Sequence, residues 1–264
     1  MAKLIIPMLL TMLVMAACSQ EPVDYEQLTL AEVQKLAEQG DPGAQVDLGY
    51  RYWTGRSFPQ DHPINNYEKA VRWFRLAAEQ GDPDGQYNLG RLYRNGDGIP
   101  RDDAEAVRWW RAAVEQGHVG AQKRLGVAYR YGQEVAKDLT ESHRLFRLAA
   151  EQGDVIAQVN LGFSYRHGEG VPQDYAESVK WYRAAAEQGY TNAQLELGFS
   201  YREGRGVTQD DVQAQKWFNL AIASGELAKE MTREQIAEAQ RLATEWEPKE
   251  WEALRQALKI GPPE

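Results

Sequence analysis

The sequence predicts an all-α fold, a solenoid of five helix pairs with capping helices at its N- and C-terminal ends. Three observations predict it. A Glu-Gln-Gly phrase ends at Gly40, Gly81, Gly117, Gly153 and Gly189 and decays to Ala223-Ser224-Gly225, at intervals of 41, 36, 36, 36 and 36 residues. Such a period marks a stack of supersecondary units rather than a single globule. Within every repeat the apolar and small residues fall three and four apart, the spacing of one helix face. Finally, each repeat's second helix sets large aromatics one turn from alanines, a surface that a lone helix pair cannot bury.

Residues 1–17 read as a secretory signal and are set apart from the fold. Lys3 precedes an apolar run from Leu4 to Val14, too short to span a bilayer, which ends in Met15-Ala16-Ala17-Cys18. That ending resembles a lipobox, with Met15 where Leu is usual. The resemblance implies a lipid on Cys18, the sole cysteine. With Ser19 rather than Asp next to it, the resemblance also implies sorting to the outer membrane of a bacterial envelope, facing the periplasm. A plain signal cut after Ala17 and a buried N-terminal helix are the alternatives. No later segment is long and apolar enough to cross a membrane, so the lipid would be the membrane anchor and residues 18–25 its tether.

Residues 26–39 form the N-terminal cap, with Leu28 to Gln39 as a lone helix offering Leu30, Val33 and Ala37 to the first repeat. The repeats occupy 40–224. On each first helix, eight places after the shared glycine, stand Leu48, Leu89, Leu125, Leu161 and Leu197, each followed by Gly. Twelve places on come Tyr52, Tyr93, Tyr129, Tyr165 and Tyr201. Glycine inside a helix costs about 1 kcal/mol against alanine, so its recurrence after Leu implies a neighbour too close for a side chain. On the second helix Trp73, Trp109, Trp181 and Trp217 share one place, with Leu145 in the third repeat. Phe74, Trp110, Phe146, Tyr182 and Phe218 lie beside them. Between the helices, Asp61, Asp102, Asp138, Asp174 and Asp210 stand at one place and are expected as helix caps or loop hydrogen-bonders. Residues 225–264 close the far end: Thr232-Arg233-Glu234-Gln235 opens a capping helix, Pro248 a last one, and the final residues form a tail.

The pattern A-x-x-x-L-G-x-x-Y-x-x-G-x-G-V-x-x-D, followed by A-x-x-W-[FWY]-x-x-A-A-x-Q-G, resembles the Sel1-like repeat, a relative of the tetratricopeptide repeat. The resemblance runs from Gly40 to Gly225. It implies a right-handed superhelix whose inner face binds proteins or peptides. Two departures stand out. The first repeat carries five extra residues around Arg56 to Asn65, and the third has Glu134 where a second loop glycine belongs.

Composition and motifs narrow the function. A formal charge of −9 argues against nucleic acid, which needs a dense cationic surface. A single cysteine excludes a disulfide framework or a cysteine-rich zinc site. His62, His118, His143 and His167 fall in different repeats, with no pair four apart to share a metal. The loop Gly96-Asp97-Gly98-Ile99-Pro100 lacks the preceding strand and the lysine of a phosphate cradle. No Ser-x-x-Lys motif is present. Some cysteine-rich relatives of this repeat are associated with β-lactam hydrolysis, but their paired cysteines are missing. The sequence therefore names no catalytic residue, metal or cofactor, and a cell-wall or β-lactam hydrolase remains only as the alternative.

Binding has better candidates. Ten places after the shared glycine stand Tyr50, Arg91, Val127, Phe163 and Phe199; thirteen places after it, Trp53, Arg94, Arg130, Arg166 and Arg202. Three apart on a helix, these places lie side by side. Stacking would make an aromatic row beside an arginine row, residue types enriched at interfaces. The arginines either meet a partner or pair with acids of the neighbouring repeat. The expected partner is a protein, with the membrane reached through the lipid. By resemblance it is either a component of an envelope assembly that the chain scaffolds, or a phospholipase-type toxin that the chain neutralises as an immunity protein.

Overall fold

In a computed structural model of the chain, residues 23–55 and 66–223 are described. The signal segment with Cys18, the first-repeat residues from Arg56 to Asn65, and the expected C-terminal caps lie outside them. The described residues contain eleven α-helices, one 3-10 turn and no strand. The chain divides into two compact blocks, up to Asp102 and from Asp103. Each has the consecutive helix packing of an α-solenoid.

The first block opens with a 3-10 turn, Tyr25–Gln27, followed by α1 (Leu30–Glu38). Thr29 and Glu32 close a capping box, which starts α1 two residues after Leu28. Val33 and Ala37 of α1 pack on Ala44, Leu48 and Trp73. Next come α2 (Pro42–Thr54), α3 (Tyr67–Glu79) and α4 (Pro83–Asn95). Asp41 and Asp82 cap α2 and α4, accepting from the Ala44 and Gly85 N–H groups, each with Pro in the first turn.

The second block runs through α5 (Asp103–Glu115), α6 (Val119–Tyr131), α7 (Leu139–Glu151), α8 (Val155–His167), α9 (Tyr175–Glu187), α10 (Thr191–Glu203) and α11 (Asp211–Ala223). Its core joins Phe146, Ala149, Ala157 and Leu161 to a second cluster around Val179, Tyr182, Ala193, Leu197 and Trp217. The glycines after the conserved-place leucines lie under aromatic rings of the paired helix. A Cβ on Gly198 would stand 2.5 Å from Phe218, and one on Gly126 3.0 Å from Phe146.

Two hydrogen-bond devices repeat along the chain. In the loops, the N–H groups of Asp138, Asp174 and Asp210 each donate to the carbonyl of Tyr129, Tyr165 and Tyr201 at 2.9 Å. The Asp side chains then accept from the next helix's first turn. In the first repeat this role belongs to Asn66, which donates to Tyr52 and caps α3. Asn66 stands five places after Asp61, which itself lies outside the described residues. The second device is a glutamine clasp. Gln158 Nε2 donates to the Ala150 carbonyl, and its Oε1 accepts from Gln188 Nε2 at 2.9 Å. Gln122 with Gln152, and Gln45 with Gln80, repeat the side-chain link. Gln45 also donates to the Ala37 carbonyl of α1, so the cap presents the seam that a full repeat would.

Glu134 has φ 58°, while Gly98, Gly170 and Gly206 at the same place have 70–74°. It keeps the left-handed turn despite its side chain, which pairs with Arg124 at 2.6 Å. Arg124 in turn lies 4.8 Å from the Trp110 ring.

Candidate partner-binding face

In the first block Tyr50 and Trp53 of α2 form one cluster with Arg91 of α4. Tyr50 and Trp53, three apart on α2, have ring centroids 6.1 Å apart. The Arg91 guanidinium sits 4.2 Å from the Trp53 ring. Tyr50 meets Phe74 edge-on at 5.3 Å, and burial pushes its phenol above the ordinary value. Both rings remain half-buried, as does Arg94 at the end of α4.

In the second block Arg130 of α6 is buried, 7% exposed. It donates to Asn160 Oδ1 at 2.7 Å, pairs with Glu169 at 2.9 Å and covers the Phe163 ring at 4.3 Å. The His167 ring stacks on Phe163 at 4.1 Å. Burial, then the Arg166 charge, holds His167 below its ordinary value. Arg166 pairs with Glu196 of α10, and Arg202 with Asp211 of α11 at 3.4 Å.

Arg130, Arg166 and Arg202 therefore pair inside the chain, the second of the two arrangements the sequence leaves open. The aromatic row is not continuous. Phe199 is 3% exposed and packs on Phe218 at 4.8 Å, so it belongs to the core, whereas Phe163 is half-buried.

Sequence reasoning missed Tyr131, the most exposed aromatic on α6 at 50%, and the stacking role of His167. It also missed the acceptors that hold the arginines. A signal for these existed: Arg130 with Asn160 and Arg166 with Glu196 are each 30 residues apart, one fixed offset from place thirteen of a repeat to place seven of the next. Among the described residues no group of three or more His, Cys, Asp or Glu side chains could hold a metal ion.

Stacked thirteen-residue helix pairs, with side-chain links between successive repeats, define an α-helical repeat protein. The Sel1 repeat family matches residues 42–82, 83–118, 119–154, 155–190 and 191–226, and the chain belongs to that family. It is similar in structure to a Sel1 repeat protein from Oxalobacter formigenes, with 33% identity and a TM-score of 0.65, over 75% of this chain and 58% of that one. It is also similar to a protective antigen present in uropathogenic Escherichia coli strains, with 31% identity and a TM-score of 0.63, over 88% of this chain and 56% of the other. This chain thus spans little more than half the length of either. No curated protein matches the sequence.

Proposed function

We propose that this chain is a non-enzymatic, lipid-anchored envelope protein that holds a protein partner on the first-helix faces of its repeats. The observation that carries the reading is the pair of half-buried rings, Trp53 and Phe163, each lying under a guanidinium. Aromatic and arginine side chains supply most binding energy where they are already stiff, because little entropy remains to be lost. Internal pairing stiffens Arg130, Arg166 and Arg202 in this way. In the first block the contacts are Tyr50, Trp53 and Arg94; in the second they are Phe163 and the paired arginines, with Phe199 in the core beneath. The anchor is a lipid on Cys18, and the location is the periplasmic side of the outer membrane. The Ala16-Ala17-Cys18 ending supports this, and no described helix is long and apolar enough to cross a membrane.

The partner is an envelope-assembly component or a phospholipase-type toxin. Affinity capture from envelope extracts, with wild type, Trp53→Ala and Phe163→Ala, tests the reading. Each variant should melt near wild type yet lose affinity for the captured partner by about 2 kcal/mol, roughly thirtyfold. Equal affinity in all three would place binding elsewhere. Co-expression with a toxic lipase encoded beside the gene separates the two roles, since only an immunity protein restores growth.

A further inference from the structure

Comparison of the second helices place by place singles out His143. Two residues before the shared Trp place stand Val71, Val107, Val179 and Gln215; the third repeat has His143 there. The three valines are 5–7% exposed, so this is a packed position. His143 is half-buried on α7, edge-on to Tyr165 of α8, with centroids 5.0 Å apart and planes at 86°. Its Nδ1 is buried and has no hydrogen-bond partner. The Tyr165 carbonyl takes the Asp174 N–H that leads into α9, so the ring His143 touches is tied to the next helix as well.

A neutral imidazole tolerates this seam at modest cost, but an imidazolium carries a charge and two N–H donors that need partners or water. At the buried Nδ1 the surroundings offer neither. On α7 the charge that acts on the imidazole is Arg147, of like sign, itself paired with Glu151 at 2.9 Å, while Arg144 pairs with Glu141. On α8 the facing titratable group is the Tyr165 ring. Glu177 of α9 acts on Arg147 rather than on the imidazole. Burial first, and Arg147 second, hold His143 below the ordinary imidazole value of 6.5.

We propose that His143 is a proton-sensitive lock on the seam between α7 and α8: neutral, it holds the third and fourth repeats together, and protonated, it opens them locally. The direction follows from linkage. A group that binds its proton less readily when folded contributes its full stability above 6.5, and that contribution falls as pH drops below it. One proton taken up on opening raises the local opening constant by up to about tenfold per pH unit. The lock does not depend on the proposed face binding anything, and its test uses no partner.

Amide hydrogen exchange of the whole chain at pH 7.5, 6.5 and 5.5, corrected for the intrinsic exchange rate, reads the opening of α7 and α8 directly. In wild type the opening constant of this seam should rise as pH falls below 6.5, with about tenfold per pH unit as the ceiling for one proton. His143→Val, which restores the residue of the second and fourth repeats, should remove that rise. His143→Gln, matching Gln215, should remove it too, which separates charge from packing. Every other histidine is the same in all three versions, so the comparison isolates position 143. An equal pH response in wild type and both variants, or no response in wild type, overturns the proposal. So does an NMR titration of wild type that places the His143 imidazole at or above 6.5.

Discussion

The glutamine clasp offers a controlled measurement of one buried hydrogen bond, because the chain contains a complete copy and an incomplete one. Gln158 and Gln194 hold the same place, are 5% and 6% exposed, and donate from Nε2 to the carbonyls of Ala150 and Ala186 at 3.3 and 3.2 Å. They differ at the acceptor. Gln158 Oε1 receives Gln188 Nε2 at 2.9 Å, whereas Gln194 Oε1 is buried without a partner. The sequence gives the reason: Ser224 stands where Gln188, Gln152 and Gln80 stand in other repeats. Methionine, unbranched and of similar length, replaces either glutamine with little change in volume. Gln158→Met breaks two hydrogen bonds, while the exposed Gln188 keeps its contact with the Gly153 carbonyl at 3.3 Å. Gln194→Met breaks one bond and removes an orphaned acceptor. A made bond contributes about 0.5–1.5 kcal/mol and an unmet buried group costs about 1–3 kcal/mol. Gln158→Met should therefore cost ~1–3 kcal/mol more than Gln194→Met, which should be close to neutral. Urea unfolding followed by circular dichroism at pH 7.5, with unchanged slope, gives both values. Equal losses, or a larger loss at Gln194, would show that the side-chain link contributes nothing.

Leu161→Ala, at a site with no exposure, should cost ~2–5 kcal/mol in the same assay, and an unchanged midpoint would mean that α8 packs through another face. Gly198→Ala and Gly126→Ala should separate: alanine gains about 1 kcal/mol of helix propensity at both, but overpacking costs ~1–3 kcal/mol where a ring lies at 2.5 Å and less where it lies at 3.0 Å. Net destabilisation is expected at Gly198 and a near-neutral result at Gly126, read by thermal melting; the reverse order would refute the geometric argument. Cys18→Ala should release the protein from the membrane fraction and abolish palmitate labelling. Retention of the unlabelled variant on membranes would mean that the chain is held there by something other than a lipid.

What was legible in the sequence was everything that the repeat forces to recur. Gly162 must lie under Tyr182 in the fourth pair for the same reason that Gly126 lies under Phe146 in the third, so periodicity alone locates the core. The face was less legible because a shared place does not guarantee a shared environment. Phe163 and Phe199 hold the same register, yet one is half-buried under Arg130 and the other packs into the core on Phe218. The difference comes from what stands around them: Tyr182 replaces Phe218 at the paired place, and Arg130 projects over the fourth repeat alone with Asn160 to receive it. Glu134 makes the same point in the backbone, since a turn that elsewhere takes glycine holds its shape with Glu134 paired to Arg124. Departures from the repeat, not the repeat itself, are thus where this chain's individual chemistry is written. His143 in a valine place is the departure that changes what a seam can do.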